Sequence, residues 1–246
     1  MYNLHEYFHT LPHAISIDVV GCGGTGSLLL PRLARIDFAL RQMNHPGIHV
    51  TAYDFDTVEE FNIGRQNFGP GDVGMNKAEC LISKINMAYG IQWEARREKR
   101  IPKWGANITI SCVDNVEFRK GMSKYKAFYN SPTRFDYRTP FYWIDCGNGK
   151  NFGQIVMADF ALHKQKRKLK NVYDIYGDIQ QFDNLENQGI LGCSYEDKLN
   201  QQDLFINDEI ALKTADLVYK MLRYKQIDYH GVVVNQESVI SKPFKI

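Results

Sequence analysis

The stretch from Ile15 to Gly26, Ile-Ser-Ile-Asp-Val-Val-Gly-Cys-Gly-Gly-Thr-Gly, constrains this chain more than any other. A short run rich in β-branched residues passes directly into glycines at 21, 23, 24 and 26, and Ser27-Leu-Leu-Leu then begins a helical pattern. That order predicts a buried strand, a tight turn and a helix start. Glycines allow positive φ and let the backbone come close to a ligand, and the start of a helix offers unpaired N–H groups to an anion. The spacing Gly21-x-Gly23-x-x-Gly26 therefore predicts a nucleotide site at the head of a Rossmann-like unit. The same residues also suit an ordinary strand-to-helix turn, so the rest of the chain has to decide. Gly21 to Ser27 almost fits the P-loop pattern but has no lysine before the serine, which disfavours a P-loop NTPase.

Downstream, the segment from Ser27 to about Asn44 reads as a helix, with Leu29, Leu33, Ile36, Leu40 and Met43 at helical spacing and Pro31 expected in its first turns. Residues 48–56, Ile-His-Val-Thr-Ala-Tyr-Asp-Phe-Asp, alternate as a second strand that finishes in Asp54 and Asp56. An acid at that strand end is placed to bind ribose hydroxyls. Asn62, Arg65 and Gln66 follow, and Lys77 opens a further helix to about Tyr89. A triphosphate that is to lose pyrophosphate needs cationic clamps and usually Mg²⁺. Arg65 and Lys77 fit that clamp and Asn62 a neutral donor, although two cations picked at random would be surface residues.

A third strand, Asn107 to Val113, ends at Asp114-Asn115, where a carboxylate could hold Mg²⁺ through oxygen or cap the next helix. Residues 141–147 and 153–158 read as two more strands, a helix with an Asn cap returns from Asn207, and residues 231–241 read as a β-hairpin. The interval from about 160 to 204 is polar and weakly periodic. Its run Lys164 to Lys170 reads as a solvated loop before it reads as a contact for nucleic acid or an acidic partner.

Two patterns invite other chemistry. His5-Glu6-Tyr7-Phe8-His9 satisfies the His-Glu-x-x-His zinc-protease spacing, but Pro12 and the terminal position argue for a helix capping the sheet. Five cysteines, at 22, 80, 112, 146 and 193, contain no Cys-x-x-Cys pair, which disfavours both a disulfide framework and a four-cysteine zinc site. With 44% hydrophobic and 24% charged residues and a net charge of +2, nothing draws the chain in bulk to nucleic acid or membrane. No apolar run is long enough to span a bilayer and the first residues lack the features of a signal peptide, so a cytoplasmic protein is expected.

Taken together, Gly21 to Gly26, Asp54 to Gln66, Lys77-Ala78 and Asp114-Asn115 to Arg119 resemble the ThiF/MoeB/ubiquitin-activating superfamily of adenylating enzymes. The likeness covers roughly residues 15–160. The phrases Gly64-Arg-Gln-Asn-Phe, Gln202-Asp-Leu-Phe-Ile-Asn and Asp228-Tyr-His-Gly resemble ThiF-like proteins of the PRTRC gene cassette of bacterial mobile elements more closely. The resemblance implies an α/β, Rossmann-like fold with a mostly parallel central sheet flanked by helices and a C-terminal helix and hairpin. It implies one domain over 1–246: an N-terminal segment (1–14), a core (15–160), a variable crossover region (161–204) and a closing helix and hairpin (205–246).

It further implies ATP-Mg²⁺-dependent adenylation of the C-terminal carboxylate of a small ubiquitin-like or sulfur-carrier protein, by a homodimer. The paired Cys-x-x-Cys zinc motifs of many relatives are absent here, so no structural zinc is expected. Carried over by position, Gly21, Gly23, Gly24 and Gly26 form the turn, Asp54 holds the ribose with Asp56 beside it, Asn62, Arg65 and Lys77 contact phosphates, and Asp114 holds Mg²⁺. Cys193 is the candidate thioester cysteine, weighed against a plain loop cysteine. No arginine precedes Arg32, whereas family dimers often send an N-terminal arginine into the neighbouring site. The alternatives are a non-catalytic nucleotide-binding module and a nicotinamide-dependent oxidoreductase, which would give Arg65, Lys77 and Asp114 no joint role.

Overall fold

A computed structural model of the chain describes residues 1–10, 13–99, 105–125, 136–160, 168–177 and 202–246. In chain order its strands and α-helices are β1 (Tyr2–Asn3), β2 (Ile15–Val20), α1 (Gly24–Gln42), β3 (Ile48–Tyr53), α2 (Lys77–Tyr89), β4 (Glu94–Arg96), β5 (Ile108–Ser111), α3 (Val116–Lys124), β6 (Tyr142–Asn148), β7 (Phe152–Asp159), α4 (Val172–Tyr176), α5 (Ile206–Tyr224), β8 (Gln226–Ile227), β9 (Tyr229–Asn235) and β10 (Ile240–Lys245).

Eight strands form one mixed sheet in the order β10-β9-β7-β6-β5-β2-β3-β4. From β4 to β6 every pairing is parallel, and from β6 to β10 every pairing is antiparallel. Side-chain alternation sorts the sheet into two faces. Ile15, Ile17 and Val19 of β2, Ile48, Val50 and Ala52 of β3, Ile108 and Ile110 of β5 and Ile144 of β6 lie in one apolar core with side chains from α1, α2 and α5. Trp143 and Val156 point the other way and pack with Met122 of α3 and Val172 of α4. Because β2 has parallel neighbours on both sides, β3 and β5, its C-terminal end is the switch point at which open α/β sheets bind ligands. The turn of glycines sits there.

Several boundaries differ from the sequence expectation. The helix after the glycines starts at Gly24, three residues early, so Pro31 falls beyond the first turn and withholds an N–H from the helical ladder. The N-terminal segment is not a helix. Tyr2–Asn3 pairs with Gln226–Ile227, and Glu6–Phe8 makes a single 3₁₀ turn. The closing helix is not capped by Asn207. It begins at Ile206, after Phe205, and Asn207 lies buried in its first turn. The short strand β4 was not anticipated. By contrast α2 begins after an Asn76 cap that accepts the Glu79 N–H and ends at Gly90, whose φ is +64°. No helix among the described residues is long and apolar enough to cross a membrane.

Candidate functional site

The turn leaves β2 at Gly21, where φ is +90° and a Cβ would lie 2.7 Å from the Cys112 carbonyl oxygen and 2.9 Å from Val113 Cγ1. Gly21 is thus fixed both by its dihedral and by the loop that follows β5. Gly26 is fixed by packing, since a Cβ there would stand 1.9 Å from the Gly21 carbonyl oxygen. Gly23 differs. A Cβ on it would meet nothing nearer than Gln66 Nε2 at 3.9 Å, so the protein's own packing does not demand glycine there. It is the bend in the turn with room above it. Gly23 is also the N-cap of α1 and contributes no side-chain cap bond, so the first N–H groups of a 19-residue helix carry their partial positive charge uncapped.

Three stretches of chain converge on this turn. The first is the end of β3. Asp54, 8% exposed, accepts the Cys22 N–H on Oδ2 at 2.6 Å and the Asp56 N–H on Oδ1 at 2.8 Å. Burial raises its carboxyl above the ordinary range, opposed by those two N–H donors and by the charge of Lys77. Asn76 locks α2 onto the same place, its Nδ2 donating to the carbonyls of Asp54 at 2.9 Å and Asp56 at 3.0 Å. Lys77, 9% exposed, then sets its N–H on the Asp56 carbonyl and its Nζ 3.6 Å from Asp56 Oδ2. Asp56 is half exposed, so the pair faces outward from a buried stem.

The second stretch is 59–67. Asn62, 2% exposed, uses Oδ1 to accept the Glu59 N–H at 2.9 Å, which leaves its Nδ2 as the donor not committed to that turn. Gly64, at φ +77°, turns the chain, and Asn67 N–H bonds Ser27 Oγ at 3.1 Å. That bond fastens Arg65 and Gln66, both buried, beside the start of α1. The third stretch follows β5. Cys112 and Val113 form the floor under Gly21, and Asn115 caps α3 by accepting the Phe118 N–H. Asp114 lies between them, exposed.

The structure therefore joins Asp54, Asp56 and Lys77 by direct contacts, brings Asn62 and Arg65 to the turn through Asn67, and leaves Asp114 on the rim of its floor. Asp114 and Asn115 divide the two roles read for them: the asparagine is the cap and the aspartate is left over. Sequence reasoning missed Gln66, Asn76 and Asn207. Asn76 carried a signal, a cap residue immediately before a helical run. Gln66 lay inside the Asp54-to-Gln66 motif without a role of its own and Asn207 read only as a helix cap, because an amide's role depends on what the fold sets beside it.

Elsewhere, His5 donates its N–H to the Tyr142 hydroxyl at 2.8 Å and accepts the Tyr7 N–H on Nδ1 at 3.2 Å. Tyr142 begins β6, so His5 and its neighbours lie at the end of the sheet opposite the glycines. The 3₁₀ turn there is too short to align His5 and His9 on a helical face, and the described residues contain no group of three or more His, Cys, Asp or Glu able to hold a metal ion. Burial pushes the thiols of Cys22 and Cys80 up, and a hydrogen bond to the Cys146 thiol, then burial, raises that of Cys112. None is an activated nucleophile. Cys193 and most of the 164–170 basic run lie outside the described residues.

A model of the ThiF family matches residues 10–203. Ubiquitin-like modifier-activating enzyme 5 of Oryza sativa subsp. japonica is 27% identical over 124 residues, which span 42% of this chain and 27% of that protein. Its Arabidopsis thaliana counterpart is 26% identical over 132 residues, 44% of this chain and 28% of that protein. The chain thus matches under a third of the length of these curated relatives. Among solved structures, E. coli MccB with ATP superposes with a TM-score of 0.64 at 16% identity, covering 94% of this chain and 63% of that one. PaaA superposes at 0.59 with 17% identity, covering 94% and 64%. At such identities the likeness is one of fold.

Proposed function

The chain belongs to the ThiF family, and from that premise we propose that it binds ATP at the glycine turn and adenylates a C-terminal carboxylate. The substrate class proposed is a small ubiquitin-like or sulfur-carrier protein, or a peptide with a free carboxyl end. One observation carries the reading: the buried carboxylate of Asp54 and the cation of Lys77 are built onto the same glycine turn as an uncapped helix N-terminus. Asp54 already accepts one N–H on each oxygen, and each oxygen keeps a second lone pair for a ribose hydroxyl. The uncapped N–H groups, Lys77, Arg65 and Asn62 then suit the phosphates.

In this chemistry a carboxylate oxygen attacks the α-phosphorus, the bond to the bridging oxygen breaks, and pyrophosphate leaves with that electron pair. The nucleophile is already an anion, so no side-chain base is required. What the protein must supply is positive charge where negative charge builds, and orientation of the two reactants. Magnesium is commonly held by one or two carboxylates together with substrate phosphates, and a single exposed Asp114 at the rim fits that donor set. When bound there, Mg²⁺ would offset charge on the leaving pyrophosphate. Lys77 withdraws from Asp56 toward the phosphates, while Asp54 keeps the nucleoside end fixed.

The carboxylate-terminated partner and any role in a PRTRC cassette rest on the sequence resemblance. A non-catalytic nucleotide-binding module is the second reading. The deciding experiment incubates the chain with ATP-Mg²⁺ and small proteins or peptides bearing a free C-terminus. Mass spectrometry is then used to look for an AMP adduct, and ATP–pyrophosphate exchange is measured in parallel. Exchange that depends on the carboxylate partner and vanishes in Asp114→Ala supports the enzyme. ATP binding without exchange for any partner supports the module, and NADH binding in place of ATP refutes both.

A further inference from the structure

Between Val20 and Ser27 only Cys22 and Thr25 carry side chains, so the turn cannot hold its own shape. Glycines lose more backbone freedom on ordering than any other residue, and the restraint has to come from outside. Asp54, the Cys112 floor and the Ser27–Asn67 bond supply part of it. The remaining hold comes from the far end of the chain. Asn207, 3% exposed in the first turn of α5, accepts the Thr25 hydroxyl on Oδ1 at 3.1 Å and Asn148 Nδ2 on the same oxygen at 2.5 Å. Its Nδ2 donates to Gln202 Oε1 at 3.2 Å, and Gln202 Nε2 donates to Asn148 Oδ1 at 3.4 Å. Three carboxamides close a ring against the turn. The Asn207 amide also stands where a side chain on Gly24 would be, with Cγ and Nδ2 at 2.6 and 2.8 Å from that Cβ position.

The chemical identity of this hold matters as much as its position. An aspartate at 207 would accept the same Thr25 and Asn148 bonds and would interact favourably with the start of α1, but it could not donate to Gln202 Oε1. An amide holds the turn equally well without cancelling its charge. A second neutral amide is directed at the same place: Gln66, 9% exposed, has a buried Oε1 with no hydrogen-bond partner, and its Nε2 lies nearest to Gly23. A buried acceptor left unsatisfied calls for a donor, which a nucleotide's ribose hydroxyl or base amino group supplies and its phosphates do not, so Gln66 marks a place completed by a ligand beside the uncapped helix N–H groups.

We infer that Asn207 is a positioning residue for the phosphate-binding turn: it fixes Gly24 and Thr25 through a neutral carboxamide, and that neutrality reserves the N-terminus of α1 for a nucleotide's phosphates. This rests on the nucleotide reading above. It assigns a role in ligand charge selection to a residue 182 positions beyond Thr25, one that requires no contact with the nucleotide's reacting atoms.

The test uses the full chain as wild type, Asn207→Asp and Asn207→Ala, with thermal unfolding measured without ligand. ATP, adenosine and inorganic tripolyphosphate are titrated at low and high salt. Asn207→Asp is expected to lose some thermal stability with the Gln202 bond and the burial of its charge, to remain folded at the assay temperature, and to bind ATP and tripolyphosphate on the order of tenfold more weakly. That deficit shrinks at high salt, and adenosine binding is unchanged. Asn207→Ala is expected to lose both thermal stability and ATP affinity. Wild-type affinity for ATP in a stably folded Asn207→Asp protein overturns the inference, and so does a variant that loses adenosine and ATP binding in equal measure. If wild type binds tripolyphosphate but not ATP, and Asn207→Asp loses it, the charge role stands and the nucleotide reading falls. If wild type binds neither, both fall.

Discussion

Gly26→Ala sets two opposite effects against each other at one atom. Gly26 is the third residue of α1 and has no positive φ, so backbone preference alone favours alanine by about 1 kcal/mol. Against this, the new Cβ would stand 1.9 Å from the Gly21 carbonyl oxygen, where real Cβ atoms keep at least about 3.0 Å from such neighbours. The clash is with backbone that cannot yield. Gly21 donates its N–H to the Tyr53 carbonyl at 2.9 Å, and Cys112 and Val113 close the space on its other side. The start of α1 must therefore move outward by about 1 Å or more. Overpacking of this kind costs about 1–3 kcal/mol, and the opposing helix preference leaves a net loss of about 0–2 kcal/mol.

The functional loss is expected to be larger than the stability loss. A displacement of about 1 Å at groups that orient reactants can lower a rate on the order of 100-fold. Urea denaturation followed by circular dichroism measures the first quantity, and ATP binding with ATP–pyrophosphate exchange measures the second. Gly71→Ala is the control, because a Cβ there meets nothing within 4 Å, and its stability should stay within about 0.5 kcal/mol of wild type. A Gly26→Ala protein with unaltered stability and ATP affinity would refute the packing described for the turn.

Arg119→Met should destabilise the fold by about 3–5 kcal/mol in urea denaturation, because it strands the buried Asp145 carboxylate whose Oδ1 takes Arg119 Nε at 3.1 Å. Val239→Gly should raise the unfolding temperature, with a gain of about 1 kcal/mol: Val239 is 89% exposed and holds φ +54°, a left-handed conformation costly for a β-branched residue. His45 is lowered to about 4, by burial first and by the charge of Lys225 next, while its Nδ1 accepts the Gly47 N–H at 3.0 Å. A base with a depressed folded-state value contributes stability above pH 6.5 that is lost as the pH falls toward 4, because the unfolded chain takes up the proton first. For a half-exposed ring, discounted for solvent screening, that loss is about 1–2 kcal/mol, and it should be missing from urea titrations of His45→Asn over the same interval.

Most strands and helices were legible because their local pattern and tertiary role agree. In β3 the alternation of Ile48, Val50 and Ala52 with His49, Thr51 and Tyr53 is also the alternation between core and opposite face. Asn76 and Gly90 punctuate α2 with the residues its ends require. Legibility failed where local preference and tertiary contact conflict. Glycines rarely begin a helix by propensity, so α1 appeared to start at Ser27, and only the packing of Gly26 on Gly21 and of Gly24 on Asn207 draws the helix back to Gly24. Asn207 looked like a cap because asparagine usually is one. In the fold its amide is taken by Thr25, Asn148 and Gln202.

By itself the sequence determined the strand–turn–helix unit, the acid that ends β3 and the cation that opens α2, since each is encoded within a few residues by periodicity, capping and glycine spacing. What only the tertiary structure decided is how that unit is held. Asp54 reaches back 32 residues to the Cys22 N–H, Cys112 and Val113 support Gly21 from the loop after the next parallel strand, and Asn207 closes on Gly24 and Thr25 from the last helix. A turn of glycines has no side chains with which to specify its own geometry. Its shape is therefore set by residues that are distant along the chain and adjacent only once the sheet has formed.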